Sequence, residues 1–253
     1  MSRFQRLAVL AAALGLTLTV GGEVRAAVPP EASTAFEQGM TAYKAGNMED
    51  AIKDWTEAAG KGHVGAAWIL GNLYDKGKVV PHSDKEAFRY YKIAAEGGQP
   101  EAATRLGLMY RDGIPDIKLK RNYKQATHWF EVGALAPRAD AQYYLGQMHR
   151  NGWGVPVDKS EGLRWYLLSA KKRFPPAFLA LGRIHFDGDG VDVNRVDGWA
   201  FLMLAQRYGD DAIKQKANDL MDKYDVRMEA GEKEKGNRFA EAWVESSTDG
   251  PGN

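Results

Sequence analysis

Two histidines, His149 and His185, have the side chain best suited to metal binding or acid-base chemistry, and they lie 36 residues apart. Zinc ligands lie about 2 Å from their metal, whereas equivalent positions in adjacent packed helix pairs lie roughly 10 Å apart. Because the separation equals the repeat spacing described below, we interpret these histidines as two copies of one repeat position. Neither a metal nor a cofactor is predicted.

The segment from His185 to Asp192, HFDGDGVD, contains alternating acids like those of a calcium-binding loop. Counted from Asp187, an EF-hand loop requires glycine at position six and glutamate at position twelve. Asp192 and Gly198 occupy those positions here. We therefore interpret the segment as an ordinary loop between two helices.

A serine or cysteine nucleophile is not indicated either. Ser160 and Ser169 lie on a predicted helix, but no recognisable motif places a histidine beside them as a base, and the chain has no G-x-S-x-G sequence. The absence of cysteine excludes disulfides, thiolate chemistry and sulfur-based zinc sites. The sequence predicts that the protein is not an enzyme.

The tryptophans divide into two groups. Four occur at helical spacing beside small residues and are assigned to the core rather than to a carbohydrate-stacking row, because burial removes a large apolar area from water: Trp55, Trp129, Trp165 and Trp199. Trp68, in a helix, and Trp153, in a loop between two glycines, are expected to be exposed. Trp153 is our loop candidate for partner binding.

The elements that position these residues are copies of a unit of helix, glycine-rich loop and helix, seen most plainly from Ala141 to Ala170. A capping box, in which a short polar residue precedes an acid or amide by three positions, marks the second helix of each copy. The predicted boxes are Asn47/Asp50, Ser83/Glu86, Asn122/Gln125, Asp158/Glu161 and Asn194/Asp197. Successive cap residues lie 36, 39, 36 and 36 residues apart. A nearly constant period of this length predicts a stack of helix pairs.

The first helix of each later copy contains a Leu-Gly pair, with glycine at Gly71, Gly107, Gly146 and Gly182. Glycine within a helix costs about 1 kcal/mol relative to alanine. Its recurrence at one position predicts that the following helix approaches too closely to leave room for a Cβ atom.

The pattern A-x4-L-G-x-x-Y-x-x-G-x-G-V-x-x-D-x-x-x-A-x-x-W-Y, matched most fully by residues 141–166, resembles the Sel1-like repeat, a relative of the tetratricopeptide repeat. The resemblance covers roughly 35–210 and implies an all-α, right-handed superhelical solenoid of about five helix pairs. The compact first pair, with Gly39, Ala51, Trp55 and Ala58, resembles a tetratricopeptide repeat itself. The third copy departs from the pattern through an insertion around Asp116 to Arg121.

The ends of the chain have their own character. Residues 1–26 combine Arg3 and Arg6, an apolar run and the exit Val24-Arg25-Ala26, a pattern typical of a signal peptide cleaved after Ala26. The further predicted segments are a lead-in at 27–34, a first repeat at 35–62, Sel1-like repeats at 63–210, capping helices at 211–245 and a disordered tail at 246–253.

The charge argues against some partners. Cleavage removes three arginines and one glutamate, which changes the net charge from +1 to −1. Near-neutrality disfavours nucleic acid, and it also disfavours direct binding to an anionic membrane, which the protein would then contact only through a partner. We expect a periplasmic protein, with secretion as the alternative.

A helix-pair stack presents a groove lined by first helices, and such grooves bind peptides or protein segments. The predicted groove residues are Tyr74, Arg105, Tyr110, Tyr144, His149 and His185. Residues 34–47 and 198–210 are also similar to exported negative regulators of exopolysaccharide production. That resemblance implies a partner such as the periplasmic domain of a membrane sensor.

Two alternatives to a regulator remain open. One is an envelope-assembly or secretion adaptor, which would bind an assembly component. The other is a β-lactam-binding or β-lactam-hydrolysing enzyme, a role that the resemblance implies for cysteine-rich relatives. The lack of cysteine counts against the enzyme.

Overall fold

The computed structural model describes residues 16–18, 24–26 and 28–248, and within these ranges the chain forms twelve helices. In one compact unit, Met1–Gln99, the elements are β1 (Leu16–Leu18), β2 (Val24–Ala26), α1 (Pro30–Lys44), α2 (Met48–Gly60), α3 (Val64–Lys76) and α4 (Asp84–Glu96). In the other, Pro100–Asn253, they are α5 (Pro100–Asp112), α6 (Tyr123–Leu135), α7 (Ala139–Asn151), α8 (Lys159–Lys171), α9 (Pro175–Asp187), α10 (Arg195–Tyr208), α11 (Asp211–Asp225) and α12 (Glu232–Thr248). A short 3-10 turn, Pro115–Ile117, follows α5 within the inserted segment.

Five helix pairs pack closely, each a first helix against the second that follows it: α1 with α2, α3 with α4, α5 with α6, α7 with α8, and α9 with α10. The prediction of an all-α fold built from helix pairs is confirmed. The two strands form a short antiparallel pair, with Leu16 opposite Ala26, outside the repeats.

The five predicted N-caps are all present. In each case the side chain of the cap residue accepts a hydrogen bond from the backbone N–H three residues later, as Asp158 does from Glu161 at 2.8 Å. This bond satisfies one of the amides that a helix start leaves without a partner. The cap spacing therefore fixes where each second helix begins.

The close approach at the Leu-Gly positions is also confirmed. A Cβ placed on Gly71 would lie 2.6 Å from Tyr91, and one on Gly107 would lie 2.6 Å from Phe130. Three further contacts have the same form: Gly39 with Trp55, Gly146 with Tyr166, and Gly182 with Leu202. In every pair one large side chain of the second helix lies directly on the glycine of the first.

Each side chain that lies on a glycine follows the N-cap residue of its helix by eight positions. Trp55 and Trp199 are buried as predicted. Trp129 and Trp165 stand one position before the packed ring, which turns them about 100° around the helix, and they are only half-buried.

The chain ends differ from the predicted segments. Helix α1 begins at Pro30 rather than at Ala35, because proline is favoured in the first turn of a helix, where its missing N–H is not needed. At the other end α12 continues to Thr248. Most of the predicted signal peptide, 1–15 and 19–23, lies outside the described residues, as does 249–253 of the predicted tail.

Two helices complete the C-terminal end after the last repeat. Helix α10 packs against both α11 and α12. Phe178 and Phe201 of the last pair form a core cluster that Trp243 of α12 joins. Helix α11 is held by Tyr224, whose ring stacks on Phe186 at 4.2 Å. These contacts cover apolar side chains that the last repeat would otherwise expose.

Candidate functional site

A cleft of about 870 Å³ opens between α7, α9 and α11. From α7 it is lined by Tyr143, Tyr144, Gln147, Arg150 and Asn151, from α9 by Pro176, Leu179, Ala180, Arg183, Ile184 and Asp187, and from α11 by Ile213, Lys216, Asp219, Leu220 and Lys223. The ring of Tyr166 and the loop residue Asp189 complete it. The first helices of two repeats and a capping helix therefore share one concave surface.

The repeat itself builds the two walls on α7 and α9. Leu179, Ala180, Arg183 and Asp187 follow Tyr143, Tyr144, Gln147 and Asn151 by the repeat spacing of 36 residues. Counted from the glycine of the Leu-Gly pair in each copy, Gly146 or Gly182, these are positions −3, −2, +1 and +5. Such spacing selects one stripe of a helix.

The predicted groove residues divide into two sets by this count. Arg105 and Tyr144 stand two positions before their glycine, and Tyr144 lines the cleft. Four others stand three positions after it: Tyr74, Tyr110, His149 and His185. The step from two positions before the glycine to three positions after it is five residues, which at 100° each is about 140° beyond a full turn. The second set therefore lies on a different face of the helix from the first.

The +3 position serves to close each repeat loop. The backbone N–H of the N-cap residue donates to the carbonyl oxygen of this residue in all four copies, at 3.1 Å for Tyr74, 2.7 Å for Tyr110, 2.8 Å for His149 and 2.9 Å for His185. Because a backbone carbonyl makes the bond, tyrosine and histidine are equally suitable there. The sequence signal for this role was the constant distance between the +3 residue and the cap in all copies but the third, which carries the insertion.

Two of the +3 side chains stack on the second helix of their own pair. Tyr74 stacks on Tyr90 at 5.8 Å, and His185 stacks on Phe201 at 5.4 Å. Burial lowers the pKa of His185, an effect that Asp197 opposes, and its Nδ1 has no hydrogen-bond partner within the described residues. His185 is therefore held as a neutral packing residue.

Tyr144 lines the cleft from α7 and contacts both an aromatic ring and a guanidinium group. Its ring stacks on Phe130 at 5.1 Å, and the guanidinium of Arg111 lies 5.1 Å from its centroid. Burial raises the pKa of Tyr144, and the positive charges of Arg111 and Arg105 oppose that rise. Arg105 and Tyr144, two of the predicted groove residues, thus lie close enough to interact.

The two tryptophans expected to be exposed are half-buried. Trp68 lies 5.6 Å from the ring of Tyr91. Trp153 stacks almost parallel on Tyr123 at 5.3 Å, and its carbonyl accepts from Thr127 Oγ1 at 2.9 Å. Trp153 therefore helps to fix the loop before α8, because tryptophan offers a large apolar face even within a loop.

Two of the three acids in the loop that resembles a calcium site, Asp187 and Asp189, are engaged by other side chains of the protein. Asp189 pairs with Arg150 and Lys159, and the resulting hydrogen bonds lower its pKa. Asp187 accepts from Tyr224 at 2.9 Å and from Arg227 at 3.2 Å. In the described part of the chain no group of three or more metal-ligating side chains lies together.

Ser169, the buried serine, donates to the carbonyl of Ala139 at 2.6 Å. This bond links α8 to the start of α7 and leaves the hydroxyl committed to structure. Ser160 is exposed. Neither serine forms the hydrogen-bonded pair with a base that nucleophilic catalysis requires.

The sequence profile of the Sel1 repeat matches residues 64–99, 100–136, 139–173 and 177–206, which together make up more than half of the chain. The chain belongs to the Sel1-repeat family. The matched stretches coincide with the helix pairs α3 to α10, so the family resemblance seen in the sequence is confirmed.

A curated relative, an exopolysaccharide production negative regulator of Rhizobium meliloti, is 33% identical over 63% of this chain and 66% of its own length. The chain thus spans just under two thirds of that relative. A Sel1 repeat protein from Oxalobacter formigenes has a similar structure, with a TM-score of 0.54 and 29% identity over 69% of this chain and 70% of that one.

A protective antigen of uropathogenic Escherichia coli, described as displaying an SLR fold, gives a TM-score of 0.70 at 23% identity over 85% of this chain and 45% of its own. At that identity the likeness shows the fold alone. Within the described residues, no helix is long and apolar enough to cross a membrane.

Proposed function

We propose that this chain is an exported regulatory scaffold that binds another envelope protein through the cleft between α7, α9 and α11. The cleft is the observation that carries the proposal, because it is open, lies on the first helices of the repeats and combines aromatic, aliphatic and charged side chains. Repeat proteins use such concave surfaces to hold partner segments. The similarity to a negative regulator of exopolysaccharide production supports a regulatory role.

The partner that fits this proposal is the periplasmic domain of a membrane sensor that controls surface polysaccharide. In this proposal, regulation consists of binding alone. An assembly or secretion adaptor would use the same cleft with a different partner.

Export is tested by the mass of the mature protein. The signal-peptide prediction requires a chain that begins at Ala27 and is recovered from the periplasm. A protein that keeps Met1 and stays in the cytoplasm would contradict export and remove the envelope partners from consideration.

Affinity capture from envelope fractions, followed by mass spectrometry, identifies the partner. The test variant is Tyr144→Ala, and the matched control is Tyr110→Ala, a tyrosine on the other face of a first helix. Loss of an aromatic anchor from a binding surface costs about 2 kcal/mol, or roughly thirtyfold in affinity. Equal capture by both variants would contradict binding in the cleft, and hydrolysis of nitrocefin would support the enzyme instead.

A further inference from the structure

We propose that the cleft binds an acidic segment of the partner in which carboxylate side chains alternate with apolar ones. This inference rests on the proposed function and adds the chemistry of the segment that is bound. Three observations carry it: the cations of the cleft, the state of its acids and the alternation of side chains along α11.

The cations of the cleft are largely free of acidic partners. Arg183 of α9 and Lys216 of α11 are exposed and form no salt bridge or hydrogen bond with any residue in the described part of the chain. Lys223 is also exposed; its ammonium lies 5.0 Å from the ring of Tyr224 and forms no ion pair with the residues that the structure describes. Three positive side chains therefore face the opening.

Arg183 of α9 lines the cleft together with Tyr143 of α7 and Lys216 of α11. Burial raises the pKa of Tyr143 on α7, and the positive charge of Arg183 opposes that rise. The same charge acts on Tyr224 of α11, whose pKa burial also raises. A cation that influences tyrosines on both neighbouring helices lies within reach of a segment running along the cleft.

The acids of the cleft offer little to balance these charges. Asp187 is engaged by Arg227 and Tyr224, and Asp189 is engaged by Arg150 and Lys159. Asp219 accepts a hydrogen bond from Gln215 and forms no ion pair with a cation of the described residues. Three free cations against one unpaired acid leave the cleft positive, although the chain as a whole is nearly neutral.

Apolar and cationic side chains alternate along α11. Ile213, Lys216, Leu220 and Lys223 follow one another at spacings of three and four residues, which places them on one face of the helix. Ile213 and Leu220 are half-buried, whereas the two lysines are exposed. A segment that matched this face would place a carboxylate at each lysine and an apolar side chain between them.

The experiment uses the mature full-length protein and a fluorescently labelled peptide of alternating glutamate and leucine. A second peptide with glutamine in place of glutamate has the same shape without the charge. We expect anisotropy titrations to show at least about tenfold tighter binding of the glutamate peptide, with an affinity that falls as salt screens the charges.

The test variant is Lys216→Glu/Lys223→Glu, and the matched control is Lys124→Glu/Lys171→Glu, a pair of exposed lysines on second helices. We expect the cleft variant to lose at least about tenfold in affinity for the glutamate peptide and the control to stay within about twofold. Arg183→Glu provides an independent change in the opposite wall. Thermal melting confirms that each variant is folded.

Equal binding of the two peptides, or equal losses in the cleft and control variants, would overturn the inference. Polygalacturonate binding in place of the glutamate peptide would overturn it too, because the cleft would then recognise an anionic glycan. If Tyr144→Ala still loses the captured partner while the peptides are not distinguished, the proposed function stands and only the acidity of the segment is refuted.

Discussion

The ring of Tyr166 lies so close to the backbone of Gly146 that a Cβ at Gly146 would be 2.7 Å from Tyr166 Cδ1 and 3.0 Å from the carbonyl oxygen of Gly162. The ring of Tyr166 and the backbone of α8 therefore leave no room for a side chain at position 146 of α7. A contact of the same form recurs in all five helix pairs, where it allows the two helices to approach closely at the glycine.

We expect Gly146→Ala to destabilise the fold by about 1–3 kcal/mol, and Gly146→Leu by more, because an added side chain overpacks the contact with Tyr166. Gly60→Ala is the control, since Gly60 ends α2 with no atom near its Cβ position. Alanine there should be neutral or stabilising by up to about 1 kcal/mol. Urea unfolding measures both, and similar stabilities would argue against glycine-dependent packing.

Removal of an N-cap should cost about 1 kcal/mol. Asp158→Ala leaves the Glu161 amide without the acceptor that now lies at 2.8 Å, whereas Asp158→Asn keeps an acceptor of the kind used at Asn122 and Asn194. Chemical denaturation should therefore rank the parent and the Asn variant close together and the Ala variant below. Asp192→Ala, at an exposed loop acid, should match the parent.

The N-cap of α3 should make stability depend on pH. His63 Nδ1 accepts from the backbone N–H of Ala66 at 3.1 Å, and its ring stacks on Phe36 at 4.1 Å. Burial lowers its pKa below the ordinary value of 6.5. The unfolded chain therefore binds a proton more readily, so the contribution of the cap is complete above pH 6.5 and is lost as the pH falls through the folded pKa.

Melting temperatures measured across this range should fall with pH in the parent and less steeply in His63→Asn, because asparagine caps without titrating. The control is His128→Asn, an exposed histidine, which should keep the slope of the parent. His185, whose pKa is also lowered, contributes the same residual slope to both variants. Identical slopes in all three proteins would refute the role of His63.

Arg150 should matter more than an ordinary surface arginine. Its side chain is only 7% exposed, pairs with Asp189 and donates to the carbonyls of Asp189 at 2.8 Å and Lys159 at 3.1 Å. A hydrogen bond to a charged group contributes about 1.5–3 kcal/mol. Arg150→Met should therefore lower the free energy of unfolding by about 1.5–3 kcal/mol or more.

The matched control is Arg89→Met, which removes an exposed pair with Glu86. Exposed pairs are worth about 0.2–1 kcal/mol. Denaturation at low and high salt provides the comparison, since salt screens the exposed pair more strongly. Equal losses at the two arginines would mean that Arg150 is not a link between neighbouring repeats.

The sequence alone determined the repeats and their boundaries. Capping residues and helical glycines act within a few positions of the chain, so a cap such as Asp158 and a contact point such as Gly146 are visible as local patterns at a fixed spacing. The period then implied helix pairs and hence the fold class. The sequence also showed that Tyr144 and His149 lie on different faces of their helix, because each residue turns an α-helix by 100° and the two are five residues apart.

Only the tertiary structure decided which residues share the cleft. Helix α11 follows the last repeat and has no counterpart in the period, so no sequence pattern fixes its position. Its place beside α9 depends on Tyr224 stacking on Phe186, two rings 38 residues apart. Packing between such distant positions is not encoded by local spacing, and it is this packing that brings Lys216 and Lys223 into the same cleft as Tyr144 and Arg183.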